Sequence, residues 1–303
     1  FIFKFKNKCE LKRKPGSVAV VTGGARGLGA SIVEKLLKCD FHVIIGCRNT
    51  SSGAALVRKL RTEKGVTSGS TTILQLDMES NESIYSFSKL VLQTRPKINV
   101  LINNAGIMDV PYRETKEGFE SQWAINYLGH FLLTHLLLKC MHECGELSRI
   151  INVSSCAHMC SKQIDFTDVN MMYDYVPKAA YAQSKLAQIL FSKYLNQLLQ
   201  GINSKVQSFA VHPGVVNTDI FDKTVIRKFL NWIAVLCFRT PEEGARSILY
   251  ATLSEDLNNK GGAYISDCCI VNSKACTYDK KLQKELFQHS MDSLNIKSFG
   301  SIL

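Results

Sequence analysis

The sequence predicts an α/β fold, a single domain in which a doubly wound parallel sheet of about seven strands carries helices on both faces. Short runs rich in β-branched residues alternate with longer helical stretches from residue 17 onwards. These runs are continuously apolar, which is typical of strands that are buried on both faces. With 303 residues and 46% hydrophobic content, the chain can also bury a core large enough for such a domain.

The predicted elements follow one another in a regular order. Strands are predicted over residues 17–23, 41–47, 71–77, 98–104, 149–155, 205–214 and 262–266. Helices are predicted over residues 28–38, 51–64, 81–94, 114–143, 179–200 and 241–253. A sheet of this kind binds its ligands at the carboxyl ends of the strands. We expect the α/β domain to span residues 17–270, after a basic segment (1–16) and before a C-terminal extension (271–303).

The first predicted turn is rich in glycine and indicates a nucleotide site. The run "TGGARGLGA" (22–30) ends a strand and opens a helix, so Gly23, Gly27 and Gly29 lie where the backbone must approach a phosphate closely. The N-terminus of the following helix then offers free N–H groups and a positive dipole to that phosphate.

The end of the second strand indicates which dinucleotide fits. An acidic residue there would accept hydrogen bonds from the adenosine ribose, but the sequence has "GCRN", with Cys47 and Arg48. Arg48, together with Arg26 in the glycine-rich turn, can bind a 2′-phosphate. NADP(H) is therefore favoured over NAD(H), the alternative being that both arginines are simply solvated.

The charge pattern bears on the partners of the protein. The net charge is +11, and six Lys or Arg fall within residues 4–14. Such a run is either a solvated tail or a segment attracted to anionic headgroups. No aromatic-interleaved or helix-turn-helix pattern accompanies it, so we expect no nucleic-acid partner. Because the chain begins "FIFKFK" without methionine, we expect an apolar anchor to precede residue 1; no apolar run of eighteen residues occurs in the sequence itself.

The cysteines favour a reducing compartment and no metal site. Eleven cysteines lack the even, regular spacing of a secreted disulfide framework. Two clusters, "CMHEC" (140–144) and "CAHMC" (156–160), are separated by a predicted strand of roughly 20 Å. That distance is too large for the clusters to share one zinc ion.

The run "YAQSK" (181–185) lies in a sequence of high helix propensity. A spacing of four residues puts the Tyr181 phenol and the Lys185 ammonium on the same face of a helix. The lysine can then lower the pKa of the phenol, which is what a tyrosine needs to act as an acid and base near neutral pH.

Five motifs in this order give the chain a resemblance to a known family. The motifs are "TGGARGLG", "NNAG" (103–106), "NYLGHF" (126–131), "NVSS" (152–155) and "YAQSK". Together they resemble the short-chain dehydrogenase/reductase family, over about residues 17–266. The resemblance implies a Rossmann fold and an NAD(P)-dependent oxidoreductase that acts on CH–OH groups. Further runs such as "HPGVVNTDI" and "TYDKKLQKELF" are similar to members that act on polyprenol- and dolichol-type lipids, and next to those that act on retinol.

The resemblance also implies roles for individual residues. The implied catalytic residues are Asn126, Ser155, Tyr181 and Lys185, with Asn126 holding a proton-relay water and Ser155 preferred over Ser154. The implied cofactor-binding residues are Thr22, Gly23, Arg26, Gly27, Leu28, Gly29, Arg48, Asp77, Met78, Asn103, Ala105, Gly106, Tyr181, Lys185, Pro213, Gly214, Val216 and Thr218.

The expected substrate is a lipophilic alcohol or its aldehyde or ketone, most of all a polyprenol- or dolichol-type isoprenoid. Three features suggest delivery from a membrane surface: the apolar stretch 229–238, the Met- and Tyr-bearing insertion (156–180) and the basic run. The alternatives are a retinol or steroid dehydrogenase and an inactive, membrane-associated dinucleotide-binding protein. The endoplasmic reticulum membrane or another membrane surface is the expected location, and the cytoplasm is the alternative. Relatives that pair through helices near 114–143 and 179–200 suggest a homodimer.

Overall fold

The computed structural model describes residues 12–95, 97–216 and 239–303. The strands are β1 Val18–Thr22, β2 His42–Cys47, β3 Ser70–Gln75, β4 Val100–Asn103, β5 Ser148–Val153, β6 Val206–His212, β7 Tyr264–Ser266 and β8 Cys269–Val271. The helices are α1 Gly27–Lys38, α2 Thr50–Thr62, α3 Asn81–Thr94, α4 Ser121–Trp123, α5 Gly129–Glu143, α6 Pro177–Gly201, α7 Pro241–Leu253 and α8 Lys280–Ser293. A π-helical turn, Ala124–Leu128, joins α4 to α5.

The eight strands form one sheet in the order β3-β2-β1-β4-β5-β6-β7-β8. Strands β1 to β7 pair in parallel, and only β8 runs antiparallel, beside β7. The chain winds outwards from β1 to β3 and then returns to β4 on the other side of β1. This reversal creates a switch point at the carboxyl ends of β1 and β4, where such folds bind ligands. The predicted fold class is confirmed.

Neighbouring residues in the strands point to opposite faces of the sheet, which explains the continuous apolar runs. Val20 and Ile44 belong to a core with α3, α5 and α6, whereas Val21 and Ile45 belong to a core with α1 and α7. All four side chains are fully buried. A strand covered on both sides cannot alternate between apolar and polar residues.

The eighth strand and the last helix are the two elements that the sequence pattern missed. Strand β8 has three exposed residues, and the predicted domain boundary at residue 270 falls inside it. Helix α8 is rich in Lys, Gln and Glu, which hid its apolar stripe of Leu282, Leu286, Phe287 and Met291. These side chains belong to the same core as β1 and α5, so the C-terminal extension is part of the domain.

The C-terminal extension covers the seam between α5 and α6. The ring of Phe287 lies 5.2 Å from that of Phe131 on α5 and 6.3 Å from that of Phe191 on α6. Phe299 adds a further contact, at 4.8 Å from Phe131. The two helices through which relatives were expected to pair are therefore covered, at this seam, by the chain itself.

Some sequence-based predictions lie outside the described residues. These are the apolar stretch 229–238, Thr218 and residues 1–11 of the basic segment. Within the ranges given above, none of the helices combines the length and the apolar character that crossing a bilayer requires.

Candidate active site

A cavity of about 400 Å³ opens at the carboxyl ends of β1, β2, β4, β5 and β6. It lies at the switch point of the sheet, where the sequence predicted the nucleotide site. The predicted residues that line it are Gly23, Arg26, Gly27, Leu28, Gly29, Arg48, Asp77, Met78, Ala105, Gly106, Ser155, Tyr181, Lys185, Pro213, Gly214 and Val216.

The glycine-rich turn leaves room for a phosphate at the start of α1. Gly23 and Gly27 have φ of +65° and +52°, which favours glycine at both positions. A Cβ on Gly29 would lie only 2.2 Å from the backbone oxygen of Gly23. No side chain caps α1, and its first turn contains no acidic residue, so its N–H groups suit an anion. This turn fits the pyrophosphate of a dinucleotide.

The end of β2 supplies a second polar region of the cavity. Arg26 and Arg48 are exposed and line the cavity together with Cys47. Asn49 caps α2 by accepting hydrogen bonds from the N–H groups of its first turn, at 2.9 and 3.3 Å. The cavity wall here has two cations and a helix N-terminus, which is an arrangement suited to a phosphate.

Ser155 and Tyr181 meet at the end of β5. Ser155 begins the 3-10 turn Cys156–Cys160, and its hydroxyl oxygen accepts a hydrogen bond of 3.2 Å from the N–H of Ala157. Burial raises the pKa of Tyr181 to about 12, and a hydrogen bond with Ser155 opposes that rise. Tyr181 is therefore protonated near neutral pH, as a proton donor must be.

Lys185 lies one helical turn beyond Tyr181 on α6. Its ammonium is 5.6 Å from the centre of the Tyr181 ring and donates a 2.9 Å hydrogen bond to the backbone oxygen of Val153. The residue is only 4% exposed, and burial lowers the pKa of its amine from 10.5 to about 8. Lys185 is thus mostly charged at pH 7 although it is almost fully buried.

Ser154 and Ser155 have different environments. Ser154 is 2% exposed, and its hydroxyl donates a 2.7 Å hydrogen bond to the backbone oxygen of Lys185. Ser154 thereby fixes α6 against β5, whereas Ser155 faces Tyr181. Both serines line the cavity, and the choice of Ser155 as the residue that meets a substrate oxygen stays a prediction.

Asn126 lies behind the cavity, in the π-helical turn. Its side-chain amide accepts from the N–H of Ile107 at 2.8 Å and donates to the oxygen of Ile107 at 2.9 Å. It also donates to the Ser184 hydroxyl at 3.0 Å. Its backbone oxygen accepts hydrogen bonds from His130 and Gln188. Asn126 therefore joins the loop after β4 to α6, and its role with a relay water stays a prediction.

Thr22 and Asn103 are also behind the cavity wall. The Thr22 hydroxyl accepts hydrogen bonds of 2.9 Å from the N–H groups of Asn104 and Ala105. The Asn103 amide is buried and donates to Asn152 at 2.9 Å. Neither of these side chains lines the cavity; both support the wall from behind. Asn104 lines the cavity in place of Asn103. The second Asn of the "NNAG" motif could have identified Asn104 as a cavity residue from the sequence.

His212 is a cavity residue that the sequence reasoning missed. It directly precedes Pro213, and its Nδ1 accepts a 3.2 Å hydrogen bond from the N–H of Cys156. Burial, with Arg239 as a second cause, lowers the pKa of His212 to about 4, so the ring is neutral. It links β6 to the turn that follows Ser155. The "HPG" run could have identified His212 from the sequence, which assigned only Pro213 and Gly214 to cofactor binding.

The insertion before α6 is held by polar contacts. The Tyr175 hydroxyl contacts Glu120 at 3.0 Å and Gln122 at 2.9 Å. Met172 and Tyr173 belong to the Met- and Tyr-bearing insertion that suggested delivery from a membrane surface. They are 59% and 90% exposed and do not line the cavity. In the described ranges, no three side chains of the types His, Cys, Asp and Glu are arranged to hold a metal ion.

A dinucleotide cavity that also contains a Ser, a Tyr and a Lys defines a class of oxidoreductase, and comparison with known proteins agrees. The chain matches the short chain dehydrogenase family over residues 17–228. It is 38% identical to polyprenol dehydrogenase of Homo sapiens, over 93% of this chain and 86% of that protein. It is 36% identical to human retinol dehydrogenase 11, over 93% of this chain and 87% of that protein.

Solved structures show the same fold. A crystal structure of an uncharacterised protein from Mycobacterium paratuberculosis has a TM-score of 0.75 at 30% identity and covers 94% of this chain and 96% of its own. A dehydrogenase/reductase from Sinorhizobium meliloti 1021 has a TM-score of 0.63 at 22% identity, over 83% and 93% of the two chains. The chain belongs to the short chain dehydrogenase family and is an NAD(P)-dependent oxidoreductase that acts on CH–OH groups.

Proposed function

We propose that the protein interconverts a lipophilic alcohol and its aldehyde or ketone with NADP(H), and that its substrate is a long isoprenoid alcohol of the polyprenol or dolichol type. One observation carries this proposal. Ser155, Tyr181 and Lys185 converge on one wall of a cavity whose other end is the glycine-rich turn. A nucleotide bound by that turn and a substrate oxygen beside Tyr181 would share a single space.

Each cavity residue has a separate role in the proposed reaction. The nicotinamide, when bound, supplies or accepts the hydride. In reduction, Tyr181 donates its proton to the substrate oxygen, and the Ser155 hydroxyl holds that oxygen in place. Lys185 places a positive charge near the phenol, which favours the phenolate that reduction leaves and that oxidation requires as a base. We also assign to the Lys185 amine the binding of the nicotinamide ribose, as the family resemblance implies.

The preference for NADP(H) is supported by the end of β2. Arg26 and Arg48 line the cavity where an adenosine ribose would lie, and Cys47 offers no carboxylate to its hydroxyl groups. The nearby carboxylate of Glu79 is bound by Arg113, which, with Arg48 as a smaller cause, keeps the pKa of Glu79 below its usual range. The positive charges of Arg26 and Arg48 at this wall favour the 2′-phosphate.

Apolar side chains support a lipophilic substrate. Ile107, Met108, Ile125 and Val215 line the cavity together with Tyr181. The similarity to polyprenol dehydrogenase favours a polyisoprenoid, and the similarity to retinol dehydrogenase 11 favours retinol as the alternative; a steroid is a further alternative. We place the protein at the endoplasmic reticulum membrane or another membrane surface, with its domain in a reducing compartment, since the nine cysteines of the described ranges are free thiols. A cytoplasmic location is the alternative.

The catalytic assignment is tested by Tyr181→Phe. This change keeps the ring and its packing but removes the proton donor, so kcat should fall by about 10²- to 10⁴-fold while NADPH still binds. Tyr173→Phe is the matched control, because Tyr173 is 90% exposed and does not line the cavity. Turnover by Tyr181→Phe at near the wild-type rate would refute the mechanism.

The substrate class is tested separately. Short aliphatic, retinoid and polyisoprenoid aldehydes should be assayed side by side with NADPH, with and without vesicles that contain anionic lipid. If each buried apolar Å² contributes about 25 cal/mol, kcat/KM should rise with substrate length until the cavity limits it. A best substrate that is small and polar, and unaffected by vesicles, would rule out the lipid proposal while leaving the catalytic assignment intact.

A further inference from the structure

The turn that follows Ser155 contains a buried histidine that the chemistry above does not use. His158 is the middle residue of "CAHMC" and is 1% exposed. Its ring packs edge-to-face on Tyr264 of β7, at a centroid distance of 5.0 Å and an angle of 66°. This histidine therefore touches neither water nor the cavity, yet it lies three residues from Ser155.

The hydrogen bonds of His158 fix its protonation. Its Nδ1 lies 2.6 Å from the backbone oxygen of Ser155, which can only accept, so Nδ1 carries the proton. Its Nε2 lies 3.2 Å from the backbone N of Lys274, which can only donate, so Nε2 accepts. The neutral ring thus joins the backbone of Ser155 to the backbone of the C-terminal extension.

Lys274 makes a second contact with the same turn. Its ammonium donates to the backbone oxygens of Met159, at 3.3 Å, and Ser161. Lys274 directly precedes a 3-10 turn, residues 275–278, which leads into α8. Because α8 is packed on the seam of α5 and α6, Lys274 is attached to the rigid core of the domain.

We propose that His158 is a positioning residue through which the C-terminal extension holds Ser155 beside Tyr181. Ser155 lies at the point where β5 ends and the chain turns away, so the sheet alone fixes only one side of it. His158 holds the other side, and Lys274 in turn holds His158. The ring of His212 adds a second support from β6, by accepting from the N–H of Cys156. This inference rests on the proposed role of Ser155, and its consequence is that catalysis depends on residues far from the glycine-rich turn in the chain.

The test compares two histidines that bind the same extension. His158→Phe keeps an aromatic ring against Tyr264 but removes both hydrogen bonds. His135→Phe is the matched control: the Nδ1 of His135 accepts a 2.9 Å hydrogen bond from the N–H of Gly300, and its ring packs edge-to-face on Phe299. Both changes remove one bond between the extension and the domain, but only His158 touches the Ser155 turn.

We expect His158→Phe to lower kcat by roughly 10- to 100-fold, because displacing a reacting group by ~1 Å has an effect of that size. The Kd of NADPH should change by less than about threefold, since the glycine-rich turn is untouched. His135→Phe should keep kcat near the wild-type value even if its Tm falls as much as that of His158→Phe. Equal losses of kcat in the two variants, or unchanged kcat in His158→Phe, would overturn the proposal.

A conservative variant and an activity-independent readout complete the test. His158→Asn can still donate to the oxygen of Ser155 and should recover part of the lost kcat, whereas no recovery would argue against positioning. In His158→Phe, the amide hydrogens of Ala157 and His158 should exchange at least about tenfold faster, because both bond to Ser155. Unchanged exchange would overturn the positioning role of His158, whether or not the protein is active. If the wild-type protein reduced none of the aldehydes, that result would refute only the proposed function.

Lys274→Met provides a second variant at a more exposed position. It removes the contacts to the oxygens of Met159 and Ser161 but leaves the backbone N–H that binds His158. We expect a smaller loss of kcat than in His158→Phe, with NADPH affinity again unchanged. A loss of NADPH affinity as large as the loss of kcat would show that the extension supports the whole domain and would count against a specific effect on Ser155.

Discussion

Replacing Lys185 by Met should make the protein more stable and inactive. Lys185 is 4% exposed, and burial lowers the pKa of its amine from 10.5 to about 8. At pH 7 the folded protein must therefore hold a charged group in a site that disfavours it. The difference in pKa corresponds to about 3 kcal/mol of lost stability, since a change of one in pKa is worth ~1.4 kcal/mol. Met keeps most of the aliphatic chain and removes the charge.

Part of that gain is offset by a lost hydrogen bond. The Lys185 ammonium donates to the backbone oxygen of Val153, and leaving this oxygen without its donor costs about 1 kcal/mol. The expected net gain in the free energy of unfolding is about 2 kcal/mol at pH 7, or a Tm higher by about 4 °C. Turnover should be lost, because Tyr181 no longer has a positive charge beside it.

The pH dependence of the stability gain shows whether the buried charge of Lys185 causes it. Because the folded-state pKa is depressed, the wild-type protein bears the full cost below pH 8 and loses it as the pH rises towards 10.5, the value in the unfolded chain. Because the lost hydrogen bond costs about 1 kcal/mol at every pH, the advantage of Lys185→Met should shrink to roughly half near pH 9 and vanish near pH 10, and above that pH the variant should be slightly the less stable protein. Urea unfolding at pH 7, 9 and 10 measures it, with the exposed Lys89→Met as the control. A variant that is less stable than the wild-type protein at pH 7, or a gain in stability that does not change with pH, would refute the reasoning.

Three further predictions concern the cofactor and the oligomeric state. Arg48→Asp should lower the ratio of kcat/KM for NADPH to that for NADH by about 10- to 100-fold, and equal values in the wild-type protein would contradict the assignment. Gly29→Ala should abolish NADPH binding, measured by nucleotide fluorescence, because its Cβ would lie 2.2 Å from a backbone oxygen; Gly201→Ala, with open space around its Cβ, is the control. Because Phe287 covers the seam of α5 and α6, we expect light scattering to give a monomer, and a dimer cross-linked through these two helices would disagree.

The cavity explains why several separate motifs could be assigned without a structure. Each of them ends a predicted strand or lies on a predicted helix, and parallel strands bring their carboxyl ends to the same edge. Gly23, Ala105, Ser155 and Pro213 follow four different strands in the chain and line a single cavity. Their approximate placement thus followed from the order of the elements alone.

The roles of neighbouring polar residues did not follow from the sequence. Asn103 and Asn104 are adjacent in "NNAG", yet Asn103 is buried behind the wall and Asn104 lines the cavity. Likewise, Ser154 bonds to α6 and Ser155 faces Tyr181. Successive residues at a strand end point to opposite sides, so an error of one residue in the register exchanges their roles. A pattern of letters does not fix that register.

The sequence by itself determined the fold class, the glycine-rich turn and the spacing of Tyr181 and Lys185, because apolar periodicity and helical spacing are local properties of the chain. Only the tertiary structure decided what the C-terminal extension does. Helix α8 covers the seam of α5 and α6, and Lys274 reaches the Ser155 turn through His158. The contacts of the extension join segments that lie far apart in the chain, such as Lys274 and His158, which are 116 positions apart. They form only when the whole core packs, because no local preference of either segment favours the other.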